Sequence, residues 1–394
     1  MKRMLAAVLT AVSLLFLMSC ASQPASSSAS AESSPAENAG SASSEAAPAA
    51  PILTDAERAV EIVSQMSLEE KVGQLFFARV PESDAANDVH TYHLGGYILF
   101  GRDTKDKTAN ELIQTIQHDQ DMADIPLLIG VDEEGGTVVR VSSNPHIRSQ
   151  KFKSPQQLYA QGDLQAIIRD TREKDVLLKA LGFNVNLAPV ADVSTDPKDF
   201  IFDRSFGQDA AQTSSYTSIV TSAMTSDGMG SVLKHFPGYG NNADTHTGIA
   251  VDNRSLETFE TSDFLPFTSG LHRGGGMTAV LVSHNIVTCM DPELPASLSP
   301  AVHEKLRKLM ADAGCENNVV MTDDLVMDAV KAYADNGSVA ALAIQAGNDL
   351  LIATDYREQI PQVIAAVKDG TLDEKLIDAA CGRVLQWKMA LGLL

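Results

Sequence analysis

Two stretches of the chain concentrate groups that could do chemistry. The first is LKHFPGYGNNADTHTG, Leu233 to Gly248, which holds Lys234, His235, Asp244 and His246 among three glycines and a proline. An ordinary surface loop rarely gathers two histidines, a lysine and an aspartate beside a Gly-rich turn, whereas a loop that presents reacting groups often does. The second is Thr322-Asp323-Asp324, directly after the apolar run NVVM. Neighbouring side chains at a strand end point in different directions. The spacing therefore predicts that at most one of the two aspartates faces a shared pocket, while the other caps the helix begun by the Leu-Val-Met-Asp pattern. The plainer reading makes both of them charges at a helix N-terminus. A carboxylate held at a strand end can attack a sugar carbon as a covalent nucleophile.

Such an attack needs a second group to protonate the departing oxygen. A histidine titrates at about pH 6.5 and can give and take a proton near neutrality, and an aspartate two residues away could orient it, as Asp244 could orient His246. Taken alone, His246 reads first as a solvated loop histidine. Asp132, Arg140, Arg204, Lys234 and His235 flank predicted strand ends and offer donors and acceptors that fit hydroxyl and acetamido groups. A structural ion pair between Arg204 and a carboxylate is the other reading of that arginine. His235, His246 and His284 are not at HxxxH or HExxH spacing, so no metal is expected.

These groups need elements that end where they begin. After Ile52 amphipathic helical patterns alternate with short apolar runs, a βα signature. A capping box at Ser67 and Glu70 opens a helix, and the apolar stretch Val72 to Val80 follows. Leu94 to Phe100 then ends at Gly101-Arg102-Asp103, Ile125 to Val131 at Asp132-Glu133-Glu134-Gly135-Gly136, and Phe183 to Val190 at Ala191-Asp192. Gly230 to Leu233 precedes Lys234-His235, Met277 to Ser283 precedes His284-Asn285, Asn318 to Met321 precedes the aspartates, and Asp349 to Ala353 comes last. About eight strands over roughly 340 residues, with charges at one strand end after another, predict a single catalytic domain built as a TIM-type (β/α)8 barrel. A doubly wound open sheet is the alternative, but no GxGxxG loop supports it. A closing helix is expected over Asp373 to Leu391, with no second domain after it.

The N-terminus carries separate instructions. Lys2 and Arg3, the apolar run Met4 to Met18, and Leu17-Met18-Ser19-Cys20, which resembles a bacterial lipobox, predict a signal peptide over residues 1–20 with lipidation of Cys20. Simple secretion with an incidental cysteine is the alternative. Residues 21–51 are almost entirely Ala, Ser, Pro and Glu and predict a disordered tether. The folded domain then occupies 52–394, extracytoplasmic and held to the bacterial cell membrane by its lipid. With 51 acidic against 30 basic residues the net charge of −21 argues against nucleic acid as a partner. Cys289, Cys315 and Cys381 lie in apolar or helical contexts at irregular spacing, as core thiols do. A monomer is expected.

MSLEEKVGQLF, GGYILFGR, IGVDEEGGTVVR, NLAPVADV, DRSFG, KHFPGYG, DTH, MTDDLVM and AGNDLLIA occur in this order from about Asp55 onward. Together they resemble the family 3 glycoside hydrolases of the β-N-acetylglucosaminidase branch. The resemblance implies that Asp323 is the nucleophile, His246 the general acid/base and Asp244 its dyad partner. It places substrate contacts on Asp132, Arg140, Arg204, Lys234 and His235. It further implies a retaining mechanism through a glycosyl-enzyme intermediate, no cofactor, and exo-acting release of terminal GlcNAc from muropeptides, peptidoglycan fragments or related glycans. Tyr239 stands where the family more often has histidine, the loop from Gly240 to His246 is one residue shorter, and Gly101-Arg102-Asp103 replaces the commoner Arg-Asn. The chain also lacks the second domain from which the β-glucosidase branch takes its acid/base, which favours the N-acetylglucosaminidase branch. The alternatives are a family 3 enzyme of other specificity (β-glucosidase or β-xylosidase), a GlcNAc phosphorylase, and a sugar-binding lipoprotein without turnover.

Overall fold

The computed structural model describes residues 53–242, 249–333 and 338–394. Its main sheet has eight parallel strands: β1 (Phe76–Arg79), β2 (Gly96–Leu99), β3 (Leu128–Val131), β4 (Val185–Asn186), β5 (Gly230–Phe236), β6 (Thr278–Val282), β7 (Val320–Thr322) and β8 (Leu351–Ala353). From β1 to β7 each strand pairs with the next, β8 pairs with β1, and an isolated bridge between Met321 of β7 and Leu350, just before β8, closes the ring. The expected (β/α)8 barrel is therefore the observed one.

The strands read as unbroken apolar runs because both of their faces are buried. Phe77, Ile98, Leu128, Val232, Leu281, Met321 and Ile352 fill the barrel interior. Their neighbours Phe76, Ala78, Tyr97, Leu99 and Ile129 pack outward under the helices. Interior space is shared tightly: a Cβ on Gly130 would lie 2.3 Å from the Phe77 ring, so that glycine makes room for the ring.

The Ser67–Glu70 capping box forms as expected, Ser67 N donating to Glu70 Oε2 at 2.6 Å and Glu70 N to Ser67 Oγ at 3.2 Å. The closing helix runs Glu374–Ala390. It sends Val384 and Trp387 into the interior cluster, and Trp387 Nε1 donates to Met277 O, just before β6, at 3.1 Å. That helix plugs the N-terminal end of the barrel and leaves the C-terminal end open.

Several expectations need correction. β5 does not stop at Leu233 but runs to Phe236, so Lys234 and His235 are strand residues. The helix expected straight after the two aspartates starts only at Asp328, beyond a turn. Cys315 and Cys381 are buried, whereas Cys289 is exposed, because it follows the short strand Ile286–Val287 on a surface turn. That strand pairs in parallel with Val251–Asp252 in a two-stranded ribbon that the sequence reading did not contain.

Candidate active site

A cavity of about 470 Å³ opens among the C-terminal ends of the strands. Its lining includes Arg79 of β1, Phe100 after β2, Asp132 after β3, Lys234 and His235 of β5, and Asp323 after β7, together with Arg140 and Arg204. In a regular strand Lys234 and His235 would face opposite ways. Here the pairing of β5 with β6 shifts register between Leu233 and Phe236, and both residues reach the cavity. The Lys234–His235 and Phe236–Pro237 peptide bonds are cis.

A charge network holds one side of the cavity. Lys234 Nζ lies 2.7 Å from Asp132 Oδ1 and 2.7 Å from Glu134 Oε1. Arg204 grips Glu134 with two bonds, Nη2 to Oε1 at 2.8 Å and Nε to Oε2 at 3.1 Å. Arg140 Nη2 stands 3.9 Å from Asp132 Oδ2. Burial by itself would push the Glu134 carboxyl up, but the Arg204 and Lys234 charges outweigh it and hold the group far below the usual carboxylate range. Burial likewise opposes the charge on Lys234, and Asp132 with Glu134 overcomes it and raises the ammonium pKa. The network thus stays ionised although Lys234 is only 2% exposed, and it offers fixed donors and acceptors to a bound ligand.

His235 stands between two ions. Its Nδ1 is 2.8 Å from Asp192 Oδ2 and its Nε2 is 3.1 Å from Arg204 Nη2. A guanidinium only donates, so Nε2 accepts and the ring proton sits on Nδ1, facing Asp192. Asp192 also accepts from the backbone of His235 at 3.1 Å and of Tyr239 at 2.7 Å, which pins the turn after β5. Tyr239 meets the His235 ring edge-on at 5.1 Å and packs with Val190 and Ile201 as an apolar backing. Glu133, fully buried, accepts from the backbones of Arg140 at 2.8 Å and Val141 at 2.7 Å, and so folds the loop after β3 that brings Arg140 to the cavity. Gly135 in that loop has φ +103°, and a Cβ there would sit 2.2 Å from Lys153 O.

Both aspartates after β7 contribute to the cavity wall, where the alternation of side chains had predicted one at most. Their roles still differ. Asp324 accepts from Thr354 Oγ1 at 2.6 Å, Thr354 N at 3.2 Å and Val326 N at 3.2 Å, so its carboxylate is committed to holding two loops. Burial pushes its carboxyl up. Asp323 N donates to Val282 O at 3.2 Å, and its Oδ1 accepts from Asp324 N at 2.8 Å. That backbone anchoring fixes Asp323 to the neighbouring strand β6.

Asp132, Arg140, Arg204, Lys234, His235 and Asp323 are thus brought to one cavity. Asp244, His246 and Cys20 lie outside the described residues. Sequence reasoning marked Asp192 and Glu134 as charges at strand ends but missed them as the hubs of the network. It missed Arg254 altogether, whose partners Asp252, Asp263 and Gly238 form no motif. Among the described residues no group of three or more His, Cys, Asp or Glu side chains is arranged to hold a metal ion.

The model of the glycosyl hydrolase family 3 N-terminal domain matches residues 67–387. Beta-hexosaminidase LpqI of Mycobacterium tuberculosis is 29% identical over 98% of this chain and 97% of its own length. A family 3 β-N-acetylglucosaminidase from a Paenibacillus species has a similar solved structure, with TM-score 0.76 and 30% identity over 83% of this chain. This chain spans 63% of the Paenibacillus protein. The structure of M. tuberculosis LpqI matches with TM-score 0.73 and 27% identity, over 83% of this chain and 95% of that one. With a family model that spans most of the chain and a barrel of the same form, the protein is a glycoside hydrolase and belongs to glycosyl hydrolase family 3.

Proposed function

We propose that the protein is a retaining exo-β-N-acetylglucosaminidase that removes terminal β-linked GlcNAc from peptidoglycan fragments or related glycans. The observation that carries this reading is the gathering of Asp323 with Asp132, Arg140, Arg204, Lys234 and His235 around one cavity at the strand ends. At about 470 Å³ the cavity is of a size to enclose a small ligand. Relatives named as β-hexosaminidase and β-N-acetylglucosaminidase support the sugar class.

In this reading Asp323 attacks the anomeric carbon as the bond to the leaving oxygen breaks, giving a glycosyl ester of the carboxylate. His246 donates its proton to that oxygen, and Asp244 stabilises the imidazolium before the proton leaves. The same imidazole then takes a proton from water, which attacks the ester and releases GlcNAc with its β configuration retained. Lys234, His235, Arg204, Asp132 and Arg140 bind hydroxyl and acetamido groups, and no cofactor takes part. The leader over 1–20, Cys20 and the tether over 21–51 support an extracytoplasmic enzyme, anchored by lipid, with its catalytic domain over 52–394.

The test is release of 4-nitrophenol from its β-GlcNAc glycoside, with the anomer of the first-formed sugar read by NMR. Asp323→Ala should lower kcat by about a thousandfold or more, as loss of a covalent nucleophile does elsewhere. Retained turnover in that variant, or an inverted product, would sink the assignment.

A further inference from the structure

A second cavity, of about 420 Å³, lies on the outer side of the wall formed by β1 and β2. The alternation of side chains along a strand separates it from the first. Arg79, Ile98 and Phe100 line the catalytic cavity, Val80 and Leu99 line the second, and no described residue lines both. Across from Leu99 runs the helix Ala109–Asp121, which presents Thr115 and Asp119, four residues apart and so on one face.

Two opposite charges face this cavity without a counter-ion. Asp119 is only 5% exposed, and among the described residues its carboxylate makes no hydrogen bond or ion pair. Burial pushes that carboxyl up to about 6, with His118 and Lys107 opposing, so at neutral pH it is mainly ionised. Lys107 Nζ reaches the hydroxyl of Thr115 at 3.4 Å and pairs with no carboxylate among the described residues. The other charged side chains of the lining have partners. Arg102 stands 3.4 Å from Glu82 Oε1 and 3.2 Å from Asp103 Oδ1, and Asp84 accepts from Ser83 Oγ at 3.1 Å.

A buried carboxylate without a donor is costly, and its cost falls when a ligand supplies one. A cation alone would suit Asp119 but be repelled by Lys107, and an anion alone would meet the reverse. A neutral hydroxyl would bring hydrogen bonds without charge. A ligand with both an ammonium and a carboxylate answers the two residues at once, with a charge-assisted bond at each end. Leu99 and Ala85 add an apolar wall, and the volume is that of a small-molecule site. We propose that this cavity binds a zwitterion of the α-amino acid type, a single amino acid or a dipeptide, with its ammonium on Asp119 and its carboxylate on Lys107. The site stands apart from the glycosidase reading, since it uses none of the catalytic cavity's residues.

Calorimetry on the full-length protein with leucine and leucyl-leucine tests this. One of them should bind one to one, and the tighter tells whether the site takes an amino acid or a peptide. The amide of that ligand, which lacks the carboxylate, and its N-acetyl form, which lacks the ammonium, should each bind roughly ten- to hundredfold more weakly, the usual return of a charge-assisted bond. Lys107→Met should abolish the difference between the zwitterion and its amide, and Asp119→Asn the difference between the zwitterion and its N-acetyl form. K107M alone decides the matter if D119N does not fold. An amide or N-acetyl form that binds as tightly as the zwitterion, or a preference over the amide that survives in K107M, would overturn the assignment. So would the absence of binding by either zwitterion at millimolar concentration. GlcNAc should leave the binding unchanged, and displacement by it would put the ligand in the catalytic cavity and refute the second site.

Discussion

At the scale of single residues the site depends on Glu134, which lies between Arg204 and Lys234 at 2.8 and 2.7 Å. Removing one member of a buried ion cluster leaves the others uncompensated and typically costs about 3–5 kcal/mol. Glu134→Gln should therefore lower the melting temperature markedly and reduce kcat/KM, because Lys234 and Arg204 would be redirected toward Asp132. The sign with pH follows from the depressed carboxyl. Its stabilisation is fully present above the ordinary value of 4.5 and is lost as pH falls through the folded-state value. E134Q should flatten the acid limb of the stability curve, and an acid limb as steep as that of the native protein would contradict this account. The reason Glu134 was not singled out in the sequence is physical. The strand-end rule says which residues reach the rim, as it did for Asp132, Lys234 and Asp323, but pairing across the barrel depends on register and side-chain length. The same limit hid the division of labour between Asp323 and Asp324, since Thr354, which takes up the second carboxylate, is thirty residues away.

At the scale of elements the critical piece is the segment after β5, whose sequence carries Asp244 and His246. Arg254 ties its two ends together. It donates from Nη2 to Gly238 O at 2.9 Å and to Asp252 Oδ2 at 2.7 Å, and from Nη1 to Asp263 Oδ1 at 2.9 Å. Asn242 reaches the same Asp252 at 2.8 Å. Gly240 is required beneath the clamp: its φ is +52°, and a Cβ would come within 2.5 Å of the Arg254 guanidinium. Burial raises the Asp263 carboxyl to about 6 even with Arg254 opposing the shift, so loss of the arginine would leave a costly buried acid. Arg254→Ala should destabilise the fold by about 3–5 kcal/mol, the usual cost of a broken buried pair. It should also slow substrates with poor leaving groups more than activated aryl glycosides, because only the former need a well-placed proton donor. Equal losses on both kinds of substrate would reduce the clamp to a stability device. Little of this could be read from the chain. The ribbon that carries Asp252 has two residues per strand, too short for any periodicity. β5 was cut short because Lys234 and His235 interrupt its apolar run.

Across the whole molecule the helix just before β1, Leu68–Gln74, is joined to the closing helix by charged and polar contacts that left no mark in the sequence pattern. Lys71, on the helix before β1, meets Asp378 at 2.7 Å and Glu374 at 3.2 Å on the closing helix. Deeper in the same seam the fully buried Lys388 donates to Gln74 Oε1 at 2.7 Å. Among the described residues no carboxylate meets that ammonium, and burial lowers its pKa from 10.5 to about 7. Between these two values the folded state sheds a proton that the unfolded chain keeps. The stabilisation from this lysine is therefore greatest above pH 10.5 and is lost as pH falls toward 7. One such group contributes a slope of up to about 1.4 kcal/mol per pH unit. Lys388→Met keeps the length of the side chain and removes the titration, at a cost of about 1–3 kcal/mol for the unpaired Gln74 oxygen that does not vary with pH. Urea unfolding at a series of pH values from neutral to alkaline should show stability rising in the native protein and a flatter curve in K388M. Parallel curves would mean that the lysine is solvated in the folded state, and that the seam between the helix before β1 and the closing helix is looser than the fully buried ammonium implies.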